Sequence, residues 1–190
     1  MAPHPVDHCR SRAGVAHAHS SPRLDRSRGR GRRIGLGVSE PLRAVLDTNV
    51  LVSALLYQNG ELSWLPGAWS DGSVMPLANE DVVVELTRIL LQLGQKKFNL
   101  APPAVEAILQ RYLSFTEQIT DAARIEAWLP QCKDRDDQKF LELAYRGKAD
   151  ILVTSDNALL GLARKTPFSI LNPVKFRLRV TEKKRDGSQN

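Results

Sequence analysis

The sequence predicts an α/β domain, a parallel sheet covered by helices on both faces. Strand-length apolar runs alternate with segments whose apolar residues recur at helical spacing, joined by short links. Those runs are continuously apolar rather than alternating, which suits strands buried on both sides. Two of them end in Asp and pass directly into a helix, at Ala44-Val-Leu-Asp47 and at Ile151-Leu-Val-Thr-Ser-Asp156.

Residues 1–38 alternate Arg, Ser, Gly, His and Pro without apolar periodicity and read as a disordered basic extension. A solvated arm, a nucleic-acid contact, a His-rich metal-binding stretch and a natural start nearer Val38 all fit that composition. The folded domain is expected over 41–176 and a basic C-terminal tail over 177–190.

The strand at 44–46 opens the domain, and Val50, Leu51, Ala54 and Leu55 continue it as a helix. Gly60 to Trp69 reads as a short, irregular helix broken by Pro66 and Gly67. Ser73 to Ala78 is a second strand, weakened by Pro76. Asn79 is placed to cap a helix over 80–93 that carries Val82, Val83, Leu86, Ile89, Leu90 and Leu93, with Gly94 as its stop.

Pro102 and Pro103 open the next helix, with Val105, Ile108, Leu109, Tyr112 and Leu113 on its buried side. Phe115 to Thr120 reads as a short strand, followed by a weak helix over Ala122 to Trp128. A helix over 136–146 turns Phe140, Leu141 and Ala144 inward. The strand at 150–155 leads into a helix with Leu159, Leu160 and Leu162, and Phe168 to Leu171 is the last strand.

Charge is divided unevenly. In 1–40, eight Arg against three acids leave +5, and in 175–190, six Lys and Arg against two acids leave +4. The net +6 of the whole chain therefore leaves −3 for the middle. All four His lie in the first 19 residues, so a folded core has neither a Ser-His-Asp or Cys-His mechanism nor a His-ligated zinc site. Cys9 and Cys132 suggest no disulfide framework. No apolar run reaches the roughly 18 residues a membrane span needs, and the N-terminus lacks a secretory apolar region, so a cytoplasmic protein is expected. Neither Gly-x-Gly-x-x-Gly nor a P-loop sequence is present.

Carboxylates are the remaining chemistry. Asp47 and Asp156 end buried strands, at the sheet edge where open α/β folds bind ligands. Helix capping accounts for an Asp at each place as well as ligation does. Glu85 borders the apolar stripe of its helix, where a carboxylate needs a partner, a metal ion or a path to water. Asp137 heads the buried face of its helix, in an acidic cluster with Asp134 and Asp136 that also suits the helix dipole. Acids gathered with no His or Lys between them would hold together around a hard divalent cation, Mg²⁺ or Mn²⁺. Such an ion acidifies a water and stabilises charge on phosphoryl oxygens, so phosphate esters are the matching substrates. Thr48, Asn49, Ser155 and Asn157 supply neutral polar groups beside the acids.

At these residues the chain closely resembles the PIN (PilT N-terminal) domain family, and within it the toxins of bacterial type II toxin–antitoxin pairs. The resemblance runs from Leu42 to Phe176, on Leu46-Asp-Thr-Asn-Val-Leu-Val-Ser53, Glu85-Leu86, Asp134-Arg-Asp-Asp-Gln-Lys-Phe-Leu-Glu-Leu-Ala144 and Ala149-Asp-Ile-Leu-Val-Thr-Ser-Asp156. It implies a three-layer α/β/α sandwich with a parallel sheet of about five strands. It implies that Asp47, Glu85, Asp137 and Asp156 form a metal-binding catalytic cluster supported by Thr48, Asn49 and Ser155. It further implies an Mg²⁺- or Mn²⁺-dependent endoribonuclease, often dimeric and often restrained by an antitoxin. Asn79, where such proteins often carry a small hydroxyl residue, and Pro66 depart from the family pattern.

RNA is then the expected substrate, with Lys175, Arg177 and Arg179 as candidate backbone contacts. A solvated terminus explains those charges equally simply. A catalytically silent RNA- or protein-binding module and a structure-specific DNA nuclease are the alternatives of different class.

Overall fold

The computed structural model describes residues 40–120 and 129–187. The extension expected at 1–38 and the weak helix expected over 122–128 lie outside the described residues.

Five parallel strands form the sheet: β1 (Leu42–Leu46), β2 (Val74–Ala78), β3 (Glu117–Gln118), β4 (Ile151–Val153) and β5 (Ser169–Leu171). Their order is β3-β2-β1-β4-β5, with β1 in the centre. Ala44, Val45 and Leu46 pair with Ile151, Leu152 and Val153, all six buried among apolar neighbours. Because β2 and β3 add to one side of β1 and β4 and β5 to the other, the chain switches direction at the carboxyl edge between β1 and β4. In doubly wound sheets that is where a crevice opens.

Seven helices are described: α1 (Thr48–Leu56), α2 (Leu65–Ser70), α3 (Glu80–Phe98), α4 (Pro102–Leu113), α5 (Gln138–Arg146), α6 (Asn157–Leu160) and α7 (Pro173–Gly187). They flank the sheet, with α5 packed across β1, β2 and β4 and α3 packed against α1, α4 and α5. The expected α/β/α class is the class observed. No described helix is long and apolar enough to cross a membrane.

Six local expectations are corrected by packing. The stop expected at Gly94 does not occur, and α3 continues to Phe98, closed by Asn99 in the left-handed region at φ 50°. Gly94 serves helix packing instead, since a Cβ there would lie 2.9 Å from Val105 Cγ2 of α4. Pro66 does not break a helix; it stands at the second position of α2, where its missing N–H has no partner to lose. Pro76 sits within β2, and β3 pairs only with Leu77 and Ala78, so no ladder bond to β3 is due at the proline. The strand expected within 115–120 contracts to Glu117–Gln118, and the helix expected from 136 begins at Gln138.

The sixth concerns the C-terminus. The segment expected as a basic tail from 177 is helical as far as Gly187. Phe176 and Val180, one turn apart, are buried, and Phe176 packs on Trp64 with ring centroids 5.8 Å apart. Two buried residues hidden among six cations were too sparse to show as an apolar stripe.

Candidate active site

Asp47 follows the last residue of β1 and is only 4% exposed. Its backbone N–H donates to Val153 O at 3.0 Å, which fixes it to β4. One carboxylate oxygen, Oδ1, accepts from Val50 N at 3.0 Å, so Asp47 does cap α1. The other, Oδ2, accepts from the hydroxyl of Thr154. Cap and buried carboxylate are thus one residue, held by two donors.

Thr154 is completely buried and has its own anchor, a bond from its N–H to Leu171 O of β5 at 3.0 Å. Its hydroxyl oxygen also accepts from the backbone N–H of Asp156 at 2.9 Å. The hydroxyl therefore couples the loops following β1 and β4. Ser155, chosen from sequence as the supporting hydroxyl, is exposed. The signal for Thr154 was its place at the end of the apolar run, two residues before an acid, on the buried side.

Asp156 caps α6, its Oδ1 accepting from Ala158 N at 2.5 Å and Leu159 N at 3.1 Å. Asp137 occupies the N-cap position of α5 in helical conformation, and its side chain makes no capping bond. Helix capping thus accounts for Asp156, whereas Asp137 makes no such bond. Burial lifts the Asp137 carboxyl above its ordinary range, and the negative charges of Asp134, Asp156 and Asp47 lift it further, against a smaller opposing effect of Lys139. Asp137 thus lies within reach of the charges of the other three acids.

Glu85, on α3, is ion-paired with Lys139 of α5. The cluster was expected to contain no Lys, and this ion pair corrects that. Lys139 stands beside Asp137 in sequence, but its pairing across to α3 was not visible there. Thr48 is buried with no partner for its hydroxyl, while Asn49 is exposed.

Among the described residues, no three His, Cys, Asp or Glu side chains close into a ready metal cage. The chemistry fits a hard cation nonetheless: Asp47, Asp137 and Asp156 offer only oxygen donors, and their repulsion, felt at Asp137, is what a dication would relieve.

Of the candidate RNA contacts, Arg177 lies over the Trp64 ring at 5.9 Å from its centroid. Arg179 lines a polar cleft with Leu42, Asp150, Ile151, Ser169, Lys183 and Asp186. That cleft sits at the amino ends of β1, β4 and β5, opposite the acids. Lys175, in the first turn of α7, follows the carboxyl end of β5.

A parallel α/β sheet with carboxylates gathered over its switch point defines a domain suited to metal-assisted phosphoryl chemistry. The chain belongs to the PIN domain family, whose model matches residues 43–158. PIN domains are generally nucleases that use divalent metal ions. The uncharacterized protein MJ1680 of Methanocaldococcus jannaschii is 27% identical over 145 residues, spanning 72% of this chain and 85% of that one. Among solved structures, the chain is similar to VapBC2 from Rickettsia felis, bound to a DNA fragment from its promoter (TM-score 0.46, 17% identity, 69% of this chain and 98% of that one). It is also similar to the PIN domain endonuclease Utp24 (TM-score 0.43, 15% identity, 70% and 86%).

Proposed function

We propose that this protein is an endoribonuclease that hydrolyses RNA phosphodiester bonds with Mg²⁺ or Mn²⁺, acting as the toxin of a toxin–antitoxin pair. The observation that supports the nuclease reading is that Asp47 and Asp156 follow the paired strands β1 and β4 at one sheet edge, and that, after burial and Asp134, their charges raise the Asp137 carboxyl further. When bound, the ion supplies Lewis acidity, drawing charge from the phosphoryl oxygens and acidifying the attacking water.

Asp47 is the fixed anchor of the donor set, its rotamer locked by Val50 N–H and Thr154. Asp137, whose side chain makes no capping bond, and Asp156, at the head of α6, would complete the residues that hold the ion. Glu85, ion-paired with Lys139, is the fourth acid of the proposed metal-binding cluster. Thr48, with its hydroxyl unsatisfied, is the supporting group nearest Asp47 in the chain, and Asn49 and Ser155 face solvent, where they meet substrate. Lys175 is the best placed of the basic residues to contact the RNA backbone.

The toxin assignment rests on motif resemblance, and it brings a small antitoxin and a homodimer with it as partners. RNA cleavage with Mg²⁺ or Mn²⁺ is compared between wild type, Asp47→Asn and Asp156→Asn. Loss of cleavage in both variants is expected. Equal cleavage by all three sinks the reading. RNA binding without cleavage by wild type supports a silent module instead, and cleavage of flap DNA but not RNA supports a DNA nuclease.

A further inference from the structure

We propose that Gln138 is a positioning residue for Asp137: its side-chain amide closes the loop ahead of α5 and so sets where the Asp137 carboxylate stands. The inference rests on the metal-dependent reading above and adds a residue to that site.

Residues 129–137 form neither strand nor helix, and Lys133, Asp134, Arg135 and Asp136 are exposed. The bonds inside this loop are local. Asp136 N–H donates to Asp134 Oδ1 at 2.9 Å, and Gln138 N–H donates to Arg135 O at 3.3 Å. The Asp137 side chain makes no capping bond, so the backbone of the loop decides where its carboxylate is presented.

Gln138, the first residue of α5, turns its amide back across that loop. Its Oε1 accepts from Cys132 N–H at 2.8 Å, and its Nε2 donates to Pro130 O over a longer 3.5 Å. Only the oxygen end of the amide can accept from an N–H, so Cys132 fixes which way the amide faces. Pro130 and Cys132 are both buried, which anchors the far end of the stitch in the core. The near end is the backbone of α5, whose Phe140 and Leu141 are buried in turn. The exposed acidic segment is therefore held between two fixed points, with Asp137 directly beside one of them. Closing a loop in this way removes conformations that it would otherwise sample. A bond that merely satisfies the Cys132 N–H predicts something different: its loss would leave the metal requirement of the enzyme unchanged.

The test uses the full chain as wild type, Gln138→Met and Gln138→Glu. Methionine matches the length of the side chain without its polar groups, and glutamate keeps an acceptor for Cys132. Amide exchange followed by NMR is expected to find the Cys132 N–H protected in wild type and in Gln138→Glu, and about 10-fold less protected in Gln138→Met. The Mn²⁺ concentration for half-maximal RNA cleavage is expected to rise about 10–100-fold in Gln138→Met, as for other groups that orient a metal ligand. Cleavage at saturating Mn²⁺ is expected to stay within about threefold of wild type, since the ion, once held, restores the site. Thermal melts are expected to place Gln138→Met within about 5 °C of wild type. An unchanged Mn²⁺ requirement despite faster Cys132 exchange, a fall confined to the saturated rate, or an unprotected Cys132 N–H in wild type overturns the inference and leaves the nuclease reading standing. A Gln138→Met variant that melts far below wild type makes the amide a general brace of the fold and overturns it too. No metal-dependent cleavage by wild type overturns both.

Discussion

The hydroxyl of Thr154 donates to the carboxylate of Asp47, joining the end of β4 to the end of β1 inside the sheet. Both residues are buried, so neither can exchange the partner for water. The bond sets the rotamer of the acid that anchors the site, and the same oxygen receives the N–H of Asp156.

Thr154→Val keeps the shape and removes the hydroxyl. With Asp47 losing a buried donor, folding stability is expected to fall by about 1–3 kcal/mol. RNA cleavage is expected to fall by about 10–100-fold, as for the loss of a group that orients a metal ligand. Thr154→Ser restores most of both. Chemical denaturation and single-turnover cleavage measure the two effects separately.

At Gly94 the sign of a familiar substitution reverses. Ala in place of Gly within a helix ordinarily stabilises by about 1 kcal/mol. Here the new Cβ would stand 2.9 Å from Val105 Cγ2, so Gly94→Ala is expected to destabilise by about 1–3 kcal/mol. The pairing Gly94→Ala with Val105→Ala makes room for that methyl group, and a double-mutant cycle is expected to show favourable coupling between the two changes.

Phe176→Ala tests whether α7 belongs to the folded domain. The ring is fully buried against Trp64, and its loss is expected to cost about 3–5 kcal/mol. Lys184→Ala, which removes an exposed bond to Asp71, is expected to change stability by well under about 1 kcal/mol. Thermal unfolding of the two variants distinguishes a structural helix from a tail.

Glu117 gives a pH dependence. Its carboxylate takes two bonds from Arg43, at 2.6 and 2.8 Å, while Arg43 also donates to Gly147 O. The hydrogen bonds to Arg43 hold Glu117 below its ordinary value of 4.5. A carboxylate depressed in the folded state stabilises fully above its unfolded value and loses that contribution as pH falls through the folded one. The stability difference between wild type and Glu117→Gln is thus expected to be present at neutral pH and to shrink below about 4.5. The pair is partly solvated, so the difference is expected to stay below about 1 kcal/mol. Denaturant midpoints across this pH range report it.

The class of fold was legible because its signal is local. Apolar runs such as Ala44–Leu46 and Ile151–Val153 can be satisfied only in strands buried on both faces, and the intervening stripes only by helices. Asp47 and Asp156 were legible as strand-end acids for the same reason. Gly94 misled because a glycine that lets a neighbouring helix approach has the same letter as one that ends a helix, and only the proximity of Val105 tells them apart.

The sequence by itself determined a parallel α/β domain and the positions of acids along it. Tertiary structure decided their company: Thr154 rather than Ser155 on Asp47, an uncapped Asp137, and Lys139 on Glu85. Those relationships span 107 and 54 residues of chain, and no local pattern encodes them. They arise because the central place of β1 brings the ends of β1 and β4 side by side, and because α5 packs against α3.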